Sequence, residues 1–152
     1  MKIDLQLKLK IKAHCMKMVS QKIEDINAVI QGLKESRSNE TKSSAGDKFE
    51  TSRAMLDLEI DKQMAVLSDW QTKQSRIDLT KLDNYKIAQS GALIETDSDY
   101  YFILESVGRI QVEKLSVFCL SVNAPIAQIL IGEKKGERIK FRDKNIVVKS
   151  IV

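Results

Sequence analysis

Ser36-Arg37-Ser38-Asn39-Glu40-Thr41-Lys42-Ser43-Ser44-Ala45-Gly46-Asp47-Lys48-Phe49-Glu50 is a polar stretch between two amphipathic ones, and it holds no aliphatic run. Before it, apolar residues recur every three or four positions at Val19, Ile23, Ile26, Ile30 and Leu33; after it, at Leu56, Ile60, Met64 and Leu67. Two helical stripes around a short polar break predict an antiparallel helical hairpin whose tip lies at about 37–50.

Working outward, the spacing from Val19 onward is 4, 3, 4, 3, a coiled-coil seam. Residues 1–12 carry two patterns. Ile3, Leu5, Leu7, Leu9 and Ile11 alternate like a strand, while Leu5, Leu9, Met16 and Val19 continue the helical stripe. No Gly or Pro interrupts Met1 to Gln31, so the expectation is one helix over about 3–36. The second helix is expected from Asp47 to about Ser75 or beyond, with Asp47 as N-cap and Glu50 closing a capping box. Thirty residues per arm predict a rod on the order of 45 Å.

Arg76 to Tyr85 reads as a polar connector. Beyond Ile87, short β-branched and aromatic runs predict strands at Ala92–Thr96, Tyr100–Leu104, Ile110–Val112, Leu115–Leu120, Arg138–Phe141 and Ile146–Ile151. Pro125 suits the first turn of a short helix over Ile126–Ile131, with Asn123 as candidate cap and Gly132 at its end. The fold class expected is α+β: a two-helix coiled-coil hairpin over 1–78, then a small α+β domain over 79–152.

Composition narrows the function. In 152 residues, 43% are hydrophobic and 30% charged, which excludes wholesale disorder. A net charge of +4 permits a nucleic-acid or acidic partner without requiring one. No apolar run approaches the roughly 18–20 residues of a membrane span, and the lysines interleaved with the N-terminal leucines leave no leader-like apolar core. Cys15 and Cys119 form no metal-ligating or redox motif, so free thiols in a reducing cytoplasm are expected. No phosphate-binding glycine loop, nucleophile–base pair or zinc spacing occurs, which argues against an independent enzyme with a cofactor of its own.

The run Leu120-Ser121-Val122-Asn123-Ala124-Pro125-Ile126-Ala127-Gln128-Ile129-Leu130-Ile131-Gly132 closely resembles a segment of the Gre family of bacterial transcript-cleavage factors. The order of parts resembles that family too, a helical hairpin followed by an FKBP-like domain. The resemblance implies a transcription elongation factor that binds RNA polymerase and inserts its hairpin tip in the secondary channel. There the family's Asp-x-x-Glu run helps hold a catalytic magnesium of the polymerase for hydrolysis of backtracked RNA, close to the RNA 3′ end. Asp47-Lys48-Phe49-Glu50 has that spacing, which implies Asp47 and Glu50 as the assisting metal ligands. Carboxylates are the hard oxygen donors that magnesium takes one or two at a time. The family's tip runs Asp-Leu-Lys-Glu-Asn-Ala, whereas here Lys48-Phe49 fill the interior and Thr51-Ser52 follow. Related members occupy the same channel and inhibit, so a regulator without cleavage activity is the alternative, and a hairpin that holds another protein partner is a third reading. The motif residues Ser121, Asn123, Pro125, Ile126 and Gly132 are the implied polymerase-binding segment.

Plainer readings stand beside these. Asp47 and Glu50 serve equally as a capping box, and Glu40 reads as a solvated loop charge. The lysines of the first helix, Lys2, Lys8, Lys10, Lys12, Lys17 and Lys22, read as a solvated face or as a weak nucleic-acid contact. His14 has no second ligand in view, and Trp70 reads as packing. Tyr100, Tyr101, Phe102, Phe118 and Phe141 read as sheet core rather than as a prolyl-isomerase pocket.

Overall fold

The computed structural model describes the backbone of residues 2–42 and 46–152 and the side chains of 2–39 and 50–152. The elements follow as α1 (Leu5–Lys42), α2 (Gly46–Leu79), β1 (Leu93–Thr96), β2 (Tyr100–Ile103), β3 (Gly108–Val112), β4 (Leu115–Leu120), α3 (Pro125–Leu130), β5 (Arg138–Phe141) and β6 (Lys144–Ile151). The class is α+β, two long helices and then a six-stranded mixed sheet.

The ambiguous N-terminus is helical. Asp4 starts it: its carboxylate accepts the Leu7 N–H at 2.8 Å, an N-cap bond the pattern reading overlooked. The buried stripe differs from the expected one. Ile3, Leu7, Ile11, Cys15 and Val19, four residues apart, are buried, whereas Leu9 is 47% exposed. Helical spacing of i, i+4 stacks those side chains on one face, so the strand-like alternation of Leu5, Leu7 and Leu9 is incidental. The first arm also runs further than expected, while the second ends at Leu79, within its expected range. The polar residues after Leu33 include no helix breaker before Ala45, and α1 continues to Lys42.

The chain divides into two compact units. One comprises Met18–Gln74, and the other joins Met1–Lys17 to Ser75–Val152. The first seventeen residues, expected with the hairpin, therefore pack with the sheet.

Within the helical unit the arms are antiparallel and in register. The guanidinium of Arg37 pairs with Asp57, and Gln74 Nε2 donates to Ser20 Oγ at 3.2 Å. Seventeen positions separate Ser20 from Arg37, and seventeen separate Asp57 from Gln74. On α1 the seam is the expected one, with Ile26 and Ile30 buried and Ile23 and Leu33 half-buried. Among the less exposed positions on α2, Arg53, Leu56, Ile60, Gln63, Leu67, Trp70 and Gln74 form a series at 3, 4, 3, 4, 3, 4 spacing. Met64, expected in the stripe, is 49% exposed, because the heptad places Gln63 there instead.

In the other unit the strand order is β3-β4-β2-β1-β6-β5. Only β2 and β4 are parallel; every other pair is antiparallel. One face, with Ile94, Tyr101, Ile103, Ile139, Ile146 and Val148, packs with Ile126 and Leu130 of α3 and with Ala88 and Ala92. The alternate face carries Leu93, Phe102, Val117 and Cys119, all buried. There Cys15 of α1 touches Cys119, so the start of α1 lies on that face. Strands covered on both sides become near-continuous apolar runs, as Tyr101 to Leu104 is.

Candidate functional site

The hairpin end comes first. Glu50 lies on the opening turns of α2 and is exposed. The side chain of Asp47 lies outside the described residues, as do those of Glu40 and Phe49, so the Asp47–Glu50 pairing does too. The backbone of α2 begins at Gly46, one residue before the expected cap. Among the described residues no group of three His, Cys, Asp or Glu is placed to hold a metal.

The second place is the turn between β4 and α3. Ala124 N donates to Ser121 O at 3.1 Å, folding the chain back at the end of β4. Ala124, rather than Asn123, is the cap residue of α3, in extended conformation with no side-chain cap bond. Pro125 follows at the first helical position, where its missing N–H costs nothing. Ile126 is buried in the core. Gly132, at φ +94°, reverses the chain so that its N–H reaches Ala88 O at 2.8 Å. Of the five motif residues, Ile126 and Gly132 thus do architectural work in the described structure.

Ser121 and Asn123 instead line a groove of about 590 Å³. Its other walls come from the end of α2 (Arg76, Leu79) and from Tyr85, Leu104, Glu105 and Val122. The glutamate is 4% exposed, and its surroundings supply partners for its carboxyl oxygens. Its Oε1 accepts the Ser106 N–H at 2.9 Å, and Arg76 Nη1 stands 3.5 Å from Oε2. A buried carboxylate needs such partners, because leaving it bare costs far more than the pair returns. On the rim, Leu79 is 81% exposed and Val122 is 38% exposed. The chemistry on offer is recognition of a partner surface, with apolar contacts around a buried glutamate paired to an exposed arginine. Sequence reading did not single out Arg76, Leu79 or Glu105, which become neighbours only when the chain folds.

Two other buried groups escaped notice. Lys8, assigned to a solvated stripe, has no exposed surface. Its ammonium donates to Asp83 O at 2.6 Å and Val152 O at 2.9 Å and lies 4.5 Å from the Tyr85 ring centroid. Burial pulls its pKa down to about 8, against a smaller opposing pull from Asp83. Cys15 and Cys119, distant in sequence, are both buried with their sulfurs 3.5 Å apart. The contact with Cys15 and the burial push the Cys119 thiol upward. Lys10 stays on the exposed face, as expected, and pairs with Glu113 at 2.6 Å, which raises its pKa.

No family model and no curated protein matches the chain. Among solved structures, the crystal structure of GreA factor homolog 1 (Gfh1) of Thermus thermophilus aligns over 90% of this chain and 94% of its own. The identity is 12% and the TM-score 0.37, values at which the likeness carries no functional argument. Among the described residues no helix is long and apolar enough to cross a membrane.

Proposed function

We propose that the chain is a Gre-like transcription factor that docks on RNA polymerase and offers its hairpin tip to the secondary channel. The carrying observation is the turn between β4 and α3. There the segment that resembles the Gre family, 120–132, lines the groove with Ser121 and Asn123 beside the exposed Leu79. An antiparallel, in-register hairpin with Glu50 exposed near its turn supports the same reading. In this reading Asp47 and Glu50 supply carboxylate oxygens to a magnesium ion of the polymerase, which would activate water for phosphodiester hydrolysis. Glu50 fits by chemistry and exposure. The protein contributes ligands, and the polymerase contributes the active site.

The tip sequence favours a second reading. Lys48-Phe49 and Thr51-Ser52 depart from the family's run, which fits a factor that occupies the channel without promoting cleavage. One assay separates the two. On a stalled, backtracked polymerase the wild type should release a short 3′ RNA fragment, and Asp47→Ala/Glu50→Ala should bind equally but release none. If the wild type slows elongation and releases no fragment, the second reading replaces the first. If Leu79→Asp leaves affinity for polymerase unchanged, the groove is not the docking surface.

A further inference from the structure

Between Lys134 and Lys149 the chain carries seven Lys and Arg against two acids, Glu137 and Asp143, a surplus of five positive charges. The whole protein has a net charge of +4, so this one segment outweighs the rest of the chain. The segment contains β5 and most of β6, and β5 is an edge strand.

Alternation sorts its side chains. Ile139 is buried in the core and Phe141 packs against it, so Arg138 and Lys140 point to the opposite face, where both are exposed. Their cross-strand neighbours on that face are Val147 and Asn145, neither of them acidic. Arg142 and Lys144, both exposed, flank Asp143 in the turn, and the Arg142 guanidinium lies 5.1 Å from the Phe141 ring centroid. Successive outward residues on a strand stand about 6.7 Å apart, close to the separation of neighbouring phosphates along a nucleic-acid strand. Of the nearby carboxylates, Glu137 accepts the Lys134 N–H at 2.6 Å and Asp97 accepts the Val147 N–H at 3.0 Å, while Asp143 stands exposed between Arg142 and Lys144 and offsets part of their charge. Among the described residues, the ion pairs leave out Arg138, Lys140, Arg142 and Lys144. A lysine or two suffices to keep an edge strand from pairing with another chain. Concentrating the charge surplus of the whole protein there exceeds that need.

We propose that the β5 edge, through Arg138, Lys140 and Arg142, binds the phosphodiester backbone of a nucleic acid without reading its sequence. The partner is defined by regularly spaced phosphates, whose bound counterions are released when the cations dock. This proposal needs no polymerase and does not rest on the function argued above.

The test is fluorescence anisotropy of the full chain with labelled single-stranded RNA and duplex DNA across a salt series. The wild type should bind at low salt, with log K falling against log salt at a slope of about −2 to −3 for three phosphate contacts. Arg138→Ala/Lys140→Ala/Arg142→Ala should weaken binding at least ten-fold and flatten that slope, with circular dichroism and melting unchanged. Lys2→Ala/Lys17→Ala/Lys22→Ala removes the same charge from exposed positions on and before α1 and should bind like the wild type. Equal loss in both triple variants, loss only in the α1 triple, or no binding by the wild type would each overturn the proposal. So would polyglutamate binding as tightly as RNA of equal charge, which would mark the edge as a surface for acidic protein.

Discussion

Lys8 shows how much one position depends on what folds over it. Its ammonium has exchanged water for two carbonyl oxygens and an aromatic face, a cationic arrangement that is stable only because those acceptors are fixed. Its folded pKa of about 8 lies below the ordinary lysine value of 10.5, so between those pH values the unfolded chain binds more protons than the folded one. Stability therefore rises with pH across that window, by up to about 3 kcal/mol from this group. Chemical denaturation of the wild type and Lys8→Met at pH 7.5 and 10 checks the sign: the wild type should gain on Lys8→Met as pH increases. Gly91 is the opposite kind of position, constrained by space. It has φ +85°, and a Cβ there would sit 2.5 Å from Lys81 O. Gly91→Ala should cost about 2–3 kcal/mol, seen as a lower denaturation midpoint at unchanged m-value.

At the scale of elements, α1 and the β5–β6 turn carry the lesson. Two periodicities competed over residues 1–12, and the absence of a breaker decided for a helix. The identity of the buried face, Ile3, Leu7, Ile11 and Cys15 rather than Leu5 and Leu9, depended on the sheet those residues meet. Ile11→Ala should accordingly destabilise by about 2–5 kcal/mol and Leu9→Ala by less than about 0.5, a contrast measurable by thermal or urea unfolding. In the β5–β6 turn, Arg142 and Asp143 adopt φ +48° and +65°, where Asn-Gly is preferred. Arg142→Asn/Asp143→Gly should stabilise the protein by about 0.5–1 kcal/mol, raising its melting temperature. On α2, the polar Gln63 and Gln74 stand at seam positions. A search for apolar residues passes over them and selects Met64 instead.

Across the molecule, strand order determines which amides are hardest to open. The sheet places β4, β2, β1 and β6 inside and leaves β3 and β5 at its edges. Hydrogen exchange should be slowest at Phe102, Ile103 and Val117 and fastest among strand amides at Arg138 and Lys140. The groove beside the β4–α3 turn belongs to this scale as well. It joins residues from the end of α2, the segment after β2 and the motif turn, separated by tens of positions in sequence.

Helices, strands and the α3 turn were legible because each is written in local spacing: 3.6 for a helix, 2 for a strand, Pro and Gly at ends. The sequence by itself determined the α+β class, the order of elements and the α1 seam from Val19 to Leu33. Only the tertiary structure decided that Cys15 meets Cys119, that Lys8 is sealed beneath Tyr85, that Arg76 neutralises Glu105, and that the first turns of α1 lie on the sheet. Such pairings join distant residues and leave no periodic trace in the chain. They are selected by which apolar faces bury each other, a choice made between elements rather than within them.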